Sequence, residues 1–460
     1  MHSSAKKIIG KGDAIHLTHP GLGAVALATF LRKKGFAVDV QDWYMESVNV
    51  ADYALVGISS TFLDFMNVEE ITQKVRAQNP NCHIAVGGQI SWTYRPEDLL
   101  NKIPALDTIV YREGELTFFD LATAIEQESD IGAVNGIIYR KNNEVCWTSA
   151  REPMDPLHIA IPDWSLLKRE NRVPLLPVET ARGCVYNCSF CSEVTYWGKP
   201  VRFRSIKDVV EEIERDVTEF GIKTFRFADS CFTAPASRSI EICEALIQRF
   251  IKAGVLLQWS SFARVTDLNE KLLSKMKEAG CVAIDIGMES GDESILQSMK
   301  KNYTREDIIK AVTTAKNFDI LTHCNVVVGF PGETPASIDN TIDILNTAQP
   351  NSYHCMQLYV APNTGLSLNK ESFGLIGDRL DWQHSTMTSD DMSEIMPKIV
   401  KSVKPSCLFL AGEIASIMLV AAGYTPTEVK MFFHNISFGT TGAKEAQMIK
   451  TFLVHEVSPV

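Results

Sequence analysis

The order of apolar runs along the chain limits its architecture more than any other feature. Six such runs recur at 174–180, 223–229, 256–262, 282–288, 320–330 and 352–360. Helical patterns separate them, as at Ser205–Phe220 and Ser237–Ala253. Strands alternating with helices imply a parallel sheet. Six βα units predict a partial (βα)6 barrel, short of the eight of a closed one. An earlier series has runs at 14–19, 37–41, 54–59, 83–88 and 107–111, with a helix from Leu22 closed by Gly35. It reads as a doubly wound, Rossmann-like α/β domain. The stretch 136–148 predicts a hairpin turning at Asn142-Asn143. The proline-dotted segment 151–173 predicts a linker. From about Ser367 the strand pattern stops, and the tail to Val460 reads as mainly helical. The expected organisation is therefore a first domain over 1–150, a linker over 151–173, a partial barrel over 174–366 and a helical segment over 367–460.

Composition narrows the class. The 460 residues exceed one ordinary core, and 45% hydrophobic with 22% charged residues fits a soluble globular protein. The net charge of −11 disfavours nonspecific binding to nucleic acid. No run approaches the roughly 20 apolar residues of a membrane helix, and the first residues lack the apolar core of a signal peptide. The eleven cysteines then argue against a disulfide framework and for a cytoplasmic location. Eight are scattered, and of these Cys243 and Cys281 read as small buried hydrophobes.

Three are not scattered. RGCVYNCSFCSE, Arg182 to Glu193, carries Cys184, Cys188 and Cys191 in the loop after the first strand of the second series. Such a loop lies at the carboxyl edge of a parallel sheet, where sites form. Structural zinc takes four protein ligands, and no fourth Cys or His lies nearby in sequence; catalytic zinc takes three. Iron–sulfur clusters normally take four cysteines. Three thiolates on a four-iron cluster would leave one iron open to a substrate or cofactor.

With C-x-x-x-C-x-x-C in this place, and the aromatic Phe190 before the last cysteine, the sequence resembles the radical SAM enzymes. The resemblance covers roughly residues 174 to 365. It implies that Cys184, Cys188 and Cys191 hold a [4Fe-4S] cluster whose open iron chelates S-adenosylmethionine. One electron, from a reductant such as flavodoxin or ferredoxin, then releases a deoxyadenosyl radical. By the same resemblance Asp229 and Ser230 meet the amine of S-adenosylmethionine, and Glu289, with Ser290, meets the ribose. Gly329 in VVVGFPGET faces the adenine, and Arg264 the carboxylate. Each has a plainer alternative: a turn cap at Asp229, a helix N-cap at the Glu289–Ser290 corner, a tight turn at Gly329 and a surface position for Arg264. Cys355 is a candidate hydrogen donor to a substrate radical, or a core thiol.

In the first domain, Gly21-x-Gly23-x-x-Ala26, with Asp39 and Asp42 downstream, matches a dinucleotide fingerprint. The wider pattern resembles the cobalamin-binding domain fused ahead of many radical SAM barrels. That implies bound cobalamin, with Ser59, Ser60, Gly87 and Gly88 approaching it. No Asp-x-His-x-x-Gly stands in the chain, and His16 and His19 lack its spacing, so no histidine ligand is expected. The alternative is an α/β domain that has lost the cofactor and serves as a lid. Cys407 lacks the CxxC partners of a further cluster, so one cluster is expected. Trp382 and His384 either line the substrate cavity or pack, and the tail is expected to close the open side of the barrel.

The two resemblances together imply cobalamin-dependent methylation of an unactivated carbon in a small-molecule or peptide substrate. The rivals are a radical SAM epimerase, cyclase or rearrangement enzyme without methyl transfer, a zinc-stabilised binding module, and a dinucleotide oxidoreductase.

Overall fold

The structure is a computed structural model; it describes residues 21–41, 49–60, 65–142, 144–167, 174–408, 412–440 and 442–453. The run 14–19, His16, His19 and Asp42 lie outside the described residues. The chain divides into two compact units. One comprises 1–173 with 195–199 and 455–460, the other 174–194 with 200–454.

The first unit is built on a five-stranded sheet of order β1-β2-β3-β4-β5. Its strands are β1 (Leu55–Ser59), β2 (His83–Gly87), β3 (Thr108–Val110), β4 (Ile137–Lys141) and β5 (Glu144–Trp147). β1, β2 and β3 run parallel; β4 and β5 are antiparallel additions. Lys141 pairs with Glu144, which places the hairpin turn at Asn142-Asn143, with Asn142 at φ 52°; Asn143 lies outside the described residues. Alternation splits each strand between two cores. Ile84, Ile109 and Ile138 meet Val68 and Ile71 of helix Phe65–Gln78 on one face. Ala85, Val110 and Ile137 meet Leu31 of helix Leu22–Lys33 and Phe118 and Leu121 of helix Glu115–Glu126 on the other. Helices on both faces are the doubly wound arrangement.

One expected strand is absent: residues 37–41 form none. Phe36 and Val38 pack against the second core, but the Val38 carbonyl accepts from Arg32 Nε at 3.0 Å instead of a neighbouring strand. Its apolar residues supply packing without a ladder. The segment after the hairpin carries its own anchors. Met154, Ala160 and Trp164 are buried, and the Asp163 amide donates to Thr29 Oγ1 at 2.8 Å.

The second unit contains a seven-stranded sheet. Its first strand is β6 (Leu176–Val178). A short antiparallel ladder, β7 (Ala181–Arg182) with β8 (Arg202–Phe203), then pins the two ends of the cysteine loop. The sheet continues through β9 (Thr224–Phe227), β10 (Gln258–Ala263), β11 (Cys281–Glu289), β12 (Leu321–Val328) and β13 (Ser352–Gln357). The tail is mainly helical, as expected, with helices Met392–Ser402, Gly412–Ala421, Pro426–Ser437 and Ala443–Leu453, but it also holds short strands. β14 (Ile376–Asp378), β15 (Asp381–His384) and β16 (Met387–Thr388) form an antiparallel sheet. β17 (Cys407–Leu408) adds a seventh parallel strand beside β13, giving the order β17-β13-β12-β11-β10-β9-β6. A two-residue strand held by its neighbour leaves no period in sequence, which is why the pattern hid it. Helix Gly412–Ala421 then packs against β9, β10, β11, β12 and β13. Among the described residues no helix is long and apolar enough to cross a membrane.

Candidate active site

The cysteine loop leaves β7 at the carboxyl edge of the second sheet. Asp229, just past β9, holds its base. The buried carboxylate accepts from the Thr180 amide at 2.6 Å, the Thr180 hydroxyl at 2.5 Å and the Ala181 amide at 3.0 Å. Ser230 donates to Glu193 Oε2 at 2.5 Å. The middle of the loop is tied down through Ser189. Its amide donates to the Met299 carbonyl at 3.1 Å, its hydroxyl to the Ser298 carbonyl at 3.1 Å, and its carbonyl accepts from Leu366 at 2.6 Å. Phe190 sits edge-on to Phe330, ring centres 6.4 Å apart.

Cys188 stands in electrostatic reach of both Cys184 and Cys191. Burial pushes the thiols of Cys184 and Cys191 up. Two cations face them. Arg264 Nη1 lies 3.4 Å from Cys188 Sγ, and Lys301 is within reach of all three thiols. Lys301 Nζ donates to Glu289 Oε1 at 2.7 Å in a buried ion pair. Burial pulls its ammonium down, and Glu289, Tyr303 and Cys188 outweigh that and raise it. Glu289 takes φ 63°, so the backbone at the end of β11 is in the left-handed region. Ser290 Oγ accepts from the Asp292 amide at 3.2 Å, and Asp292 caps the next helix through Ser294 and Ile295. Soft thiolates on one tethered loop, faced by cations that offset negative charge, suit an iron–sulfur cluster. Among the described residues no group of three or more His, Cys, Asp or Glu is set to hold a single metal ion.

The turn after β12 is shaped by Gly329 at φ +93°. A Cβ there would meet the Trp382 ring at 2.2 Å. The buried Glu333 carboxylate accepts from the amides of Gly329 at 2.6 Å and Phe330 at 3.3 Å. His384 Nε2 lies 3.3 Å from the Gly329 carbonyl oxygen, and its ring stacks on Trp382 at 5.5 Å. Trp382 donates to the Leu358 carbonyl at 2.8 Å. Both side chains thus pack on this turn.

Alternation along the strands separates two faces. Cys324 of β12 pairs with Ile286 of β11, and both are buried. Cys355 pairs with Val326, two residues from Cys324, so it shares that face and is buried there. The opposite face carries Phe262, Asp285, Gly287, Asn325 and His354, neighbours in register. Gly287 is the one residue of β11, and Asn325 the one residue of β12, that is not buried. Asn325 donates to Asp285. Burial lowers His354 to about 4, so its ring is neutral at pH 7.

In the first unit, Ser59, Ser60, Gly87 and Gly88 meet at the carboxyl ends of β1 and β2. The Ser60 amide donates to the Gly87 carbonyl at 3.0 Å. Gly88, at φ +86°, lets its backbone approach Ser60: a Cβ would lie 2.6 Å from the Ser60 carbonyl oxygen. Two adjacent glycines beside two small serines at this edge suit the close approach of a large planar ligand such as a corrinoid.

Lys301 and Tyr303 have no place in the motifs that the sequence offered. Lys301 follows a helix in KKNYT, where a lysine looks like any surface cation. Glu333 lies inside GFPGE, and its buried role was signalled only by that motif.

Three buried carboxylates carry a pH consequence. Burial pushes Asp216 up to about 7, Asp229 to about 6 and Glu333 to about 8. The unfolded chain releases these protons near pH 4, so between there and pH 8 the folded state binds more protons. Their contribution to stability is complete below pH 4 and is lost as pH rises through these values. The melting temperature is expected to fall between pH 7 and pH 8.5, above the range in which buried His354, already neutral in the fold, contributes in the opposite direction; a rise over that interval contradicts the assignment.

Comparisons with known proteins agree with this geometry. The radical SAM superfamily model matches residues 178–345, and the B12 binding domain model matches residues 12–122. An uncharacterized methyltransferase of Pyrococcus horikoshii is 30% identical over 425 residues, covering 86% of this chain and 89% of its own. An anaerobic magnesium-protoporphyrin IX monomethyl ester cyclase of Rubrivivax gelatinosus is 31% identical over 324 residues, covering 68% of this chain and 57% of the cyclase. The solved radical S-adenosylmethionine methyltransferase TsrM of Kitasatospora setae, with cobalamin and a [4Fe-4S] cluster bound, shares the fold. Its TM-score is 0.64 at 20% identity, over 78% of this chain and 74% of that one.

Proposed function

Because this chain belongs to the radical SAM superfamily, with a B12-binding domain ahead of its barrel, we propose that it methylates an unactivated carbon of a small-molecule or peptide substrate. The observation that carries this reading is the joining of the two domains in one chain. It is supported by a relative, named a methyltransferase, that aligns across both. In this reading Cys184, Cys188 and Cys191 hold a [4Fe-4S] cluster, and the shelf of Ser59, Ser60, Gly87 and Gly88 holds the corrinoid. When bound, the cluster supplies the electron that splits S-adenosylmethionine to a deoxyadenosyl radical, and cobalamin supplies a carrier for the methyl group.

The chain's own residues bind, orient and screen. The Glu289 carboxylate, fixed by Lys301, presents acceptors for ribose hydroxyls. The turn at Gly329, backed by Trp382 and Glu333, offers a flat backbone surface to the adenine. The partly exposed row of Phe262, Gly287, Asn325 and His354 is the surface for the reacting end of the substrate. Asn325 and neutral His354 there offer hydrogen bonds and no net charge. A cytoplasmic reductant of the flavodoxin or ferredoxin class completes the system.

The second reading is radical chemistry without methyl transfer, favoured by the 31% identity to a cyclase. The test is anaerobic purification from cells supplied with cobalamin, a count of iron and corrinoid per chain, then reaction with S-adenosylmethionine bearing a trideuterated methyl group. Labelled product with both S-adenosylhomocysteine and deoxyadenosine supports methyl transfer. Deoxyadenosine without S-adenosylhomocysteine sinks it and promotes the cyclase or epimerase reading.

The shelf makes a separate prediction. In Gly88→Ala the added methyl clashes with Ser60 in a left-handed backbone, a strain of about 1–2 kcal/mol. Relief of the clash displaces the backbone of the shelf, and where binding must restore it corrinoid affinity is expected to fall, by about tenfold for 1.4 kcal/mol, while iron per chain is unchanged. Equal loss of iron and corrinoid in this variant would point to general unfolding instead.

A further inference from the structure

A buried cation stands against the cysteine loop in a way that its motif position did not suggest. Arg264 follows β10 and is 6% exposed. Its Nη1 donates to Cys188 Sγ at 3.4 Å, and its Nη2 donates to the Lys301 carbonyl oxygen. The guanidinium carbon lies 3.9 Å from the centre of the Tyr186 ring and 5.5 Å from that of Tyr303. Both rings are anchored. The Tyr186 hydroxyl donates to Asp267, and the Tyr303 hydroxyl to the Gly287 carbonyl at 2.7 Å and the Met288 carbonyl at 3.1 Å. Tyr186 itself lies between Cys184 and Cys188. This planar cation is held by two aromatic rings and at both terminal nitrogens, and only its buried Nε–H has no partner among the described residues. The neighbouring Lys301 is already paired with Glu289. The leading anionic neighbour of Arg264 is the Cys188 sulfur itself.

We propose that Arg264 acts on the cluster rather than on the carboxylate of S-adenosylmethionine: it is a positioning residue whose N–H···S bond to Cys188 raises the potential at which the cluster takes up its electron. The proposal rests on the cluster assignment given above. Thiolate ligands give the cluster a negative charge, and the incoming electron adds one more. A fixed cation donating to a ligand sulfur stabilises the reduced form more than the oxidised one. The bond links a cationic donor directly to a ligand thiol.

The test uses the full chain, wild type, Arg264→Lys and Arg264→Met, purified without oxygen and reconstituted with iron and sulfide. Iron is counted first. The midpoint potential is then read by electron paramagnetic resonance during a dithionite titration, without and with S-adenosylmethionine. Arg264→Met is expected to hold wild-type iron and show a lower midpoint potential, with Arg264→Lys between the two. The S-adenosylmethionine concentration that changes the signal should stay as in wild type. A wild-type potential in iron-loaded Arg264→Met overturns the proposal. So does a raised S-adenosylmethionine requirement with no change in potential, which returns Arg264 to the carboxylate. If Arg264→Met takes up no iron, Arg264→Lys decides: a lowered potential supports the proposal, a wild-type potential overturns it. A wild-type chain that takes up no iron defeats the cluster assignment itself, and the proposal with it.

Discussion

Cys188→Ala is expected to yield a folded chain that holds little iron and cleaves no S-adenosylmethionine. The loop survives the change because its position depends on other atoms. Ser189 is bonded to Ser298, Met299 and Leu366, and Asp229 fixes Thr180 and Ala181 at its base. Cys188 is partly exposed, so its loss leaves no large cavity. Function does not survive, because two thiolates cannot hold a cluster that normally takes three or four. Iron should fall from about four per chain toward background, and deoxyadenosine formation should fall below detection. Circular dichroism and corrinoid content should match wild type. Deoxyadenosine production by this variant at a substantial fraction of the wild-type rate would refute the cluster assignment.

Lys301→Met should produce the largest loss of stability among single changes at the site. Lys301 and Glu289 are both nearly buried and 2.7 Å apart. Removing one partner strands the other as an uncompensated buried charge, which costs about 3–5 kcal/mol. The methionine fills most of the lysine's volume, so the effect is electrostatic rather than a cavity. The loss should appear in the unfolding transition of the barrel unit. Adding Glu289→Gln removes the stranded charge, so the double variant should recover a large part of it, a coupling that a cycle of the four proteins measures. Independent, additive losses in that cycle would mean that the pair does not act as a unit.

The strands that carry the site were legible because each is a dense apolar run between turn residues. β11 and β12 are the clearest, since nearly every side chain in them is buried. The trio of cysteines was legible because spacing on one loop is a property of sequence. What joins that loop to its surroundings was not. Lys301 reaches Glu289 across twelve residues, and Arg264 reaches Cys188 across seventy-six; no local pattern encodes a contact at such a separation. Asp229 was legible as a residue at a strand end, but its three hydrogen bonds to Thr180 and Ala181 belong to the tertiary arrangement of β6 and β9. The strands of the tail were missed for a different reason. β14 to β17 are only two to four residues long, too short for a period of two to show. The run 37–41 erred the other way: its composition suits a strand, and the Val38 carbonyl is taken by a side chain.

The placement of β17 and helix Gly412–Ala421 against β9 to β13 has a consequence for how the molecule is made. The ribosome delivers the cysteine loop long before it delivers the helix that lies across the barrel strands. Until the tail emerges, apolar strand surface has no cover, and pairing across so long a stretch of chain is slow. The nascent barrel is thus incomplete for an interval, in which partly folded chains can associate through uncovered strands. Lowering the rate of expression should therefore raise the share of chains that fold rather than aggregate.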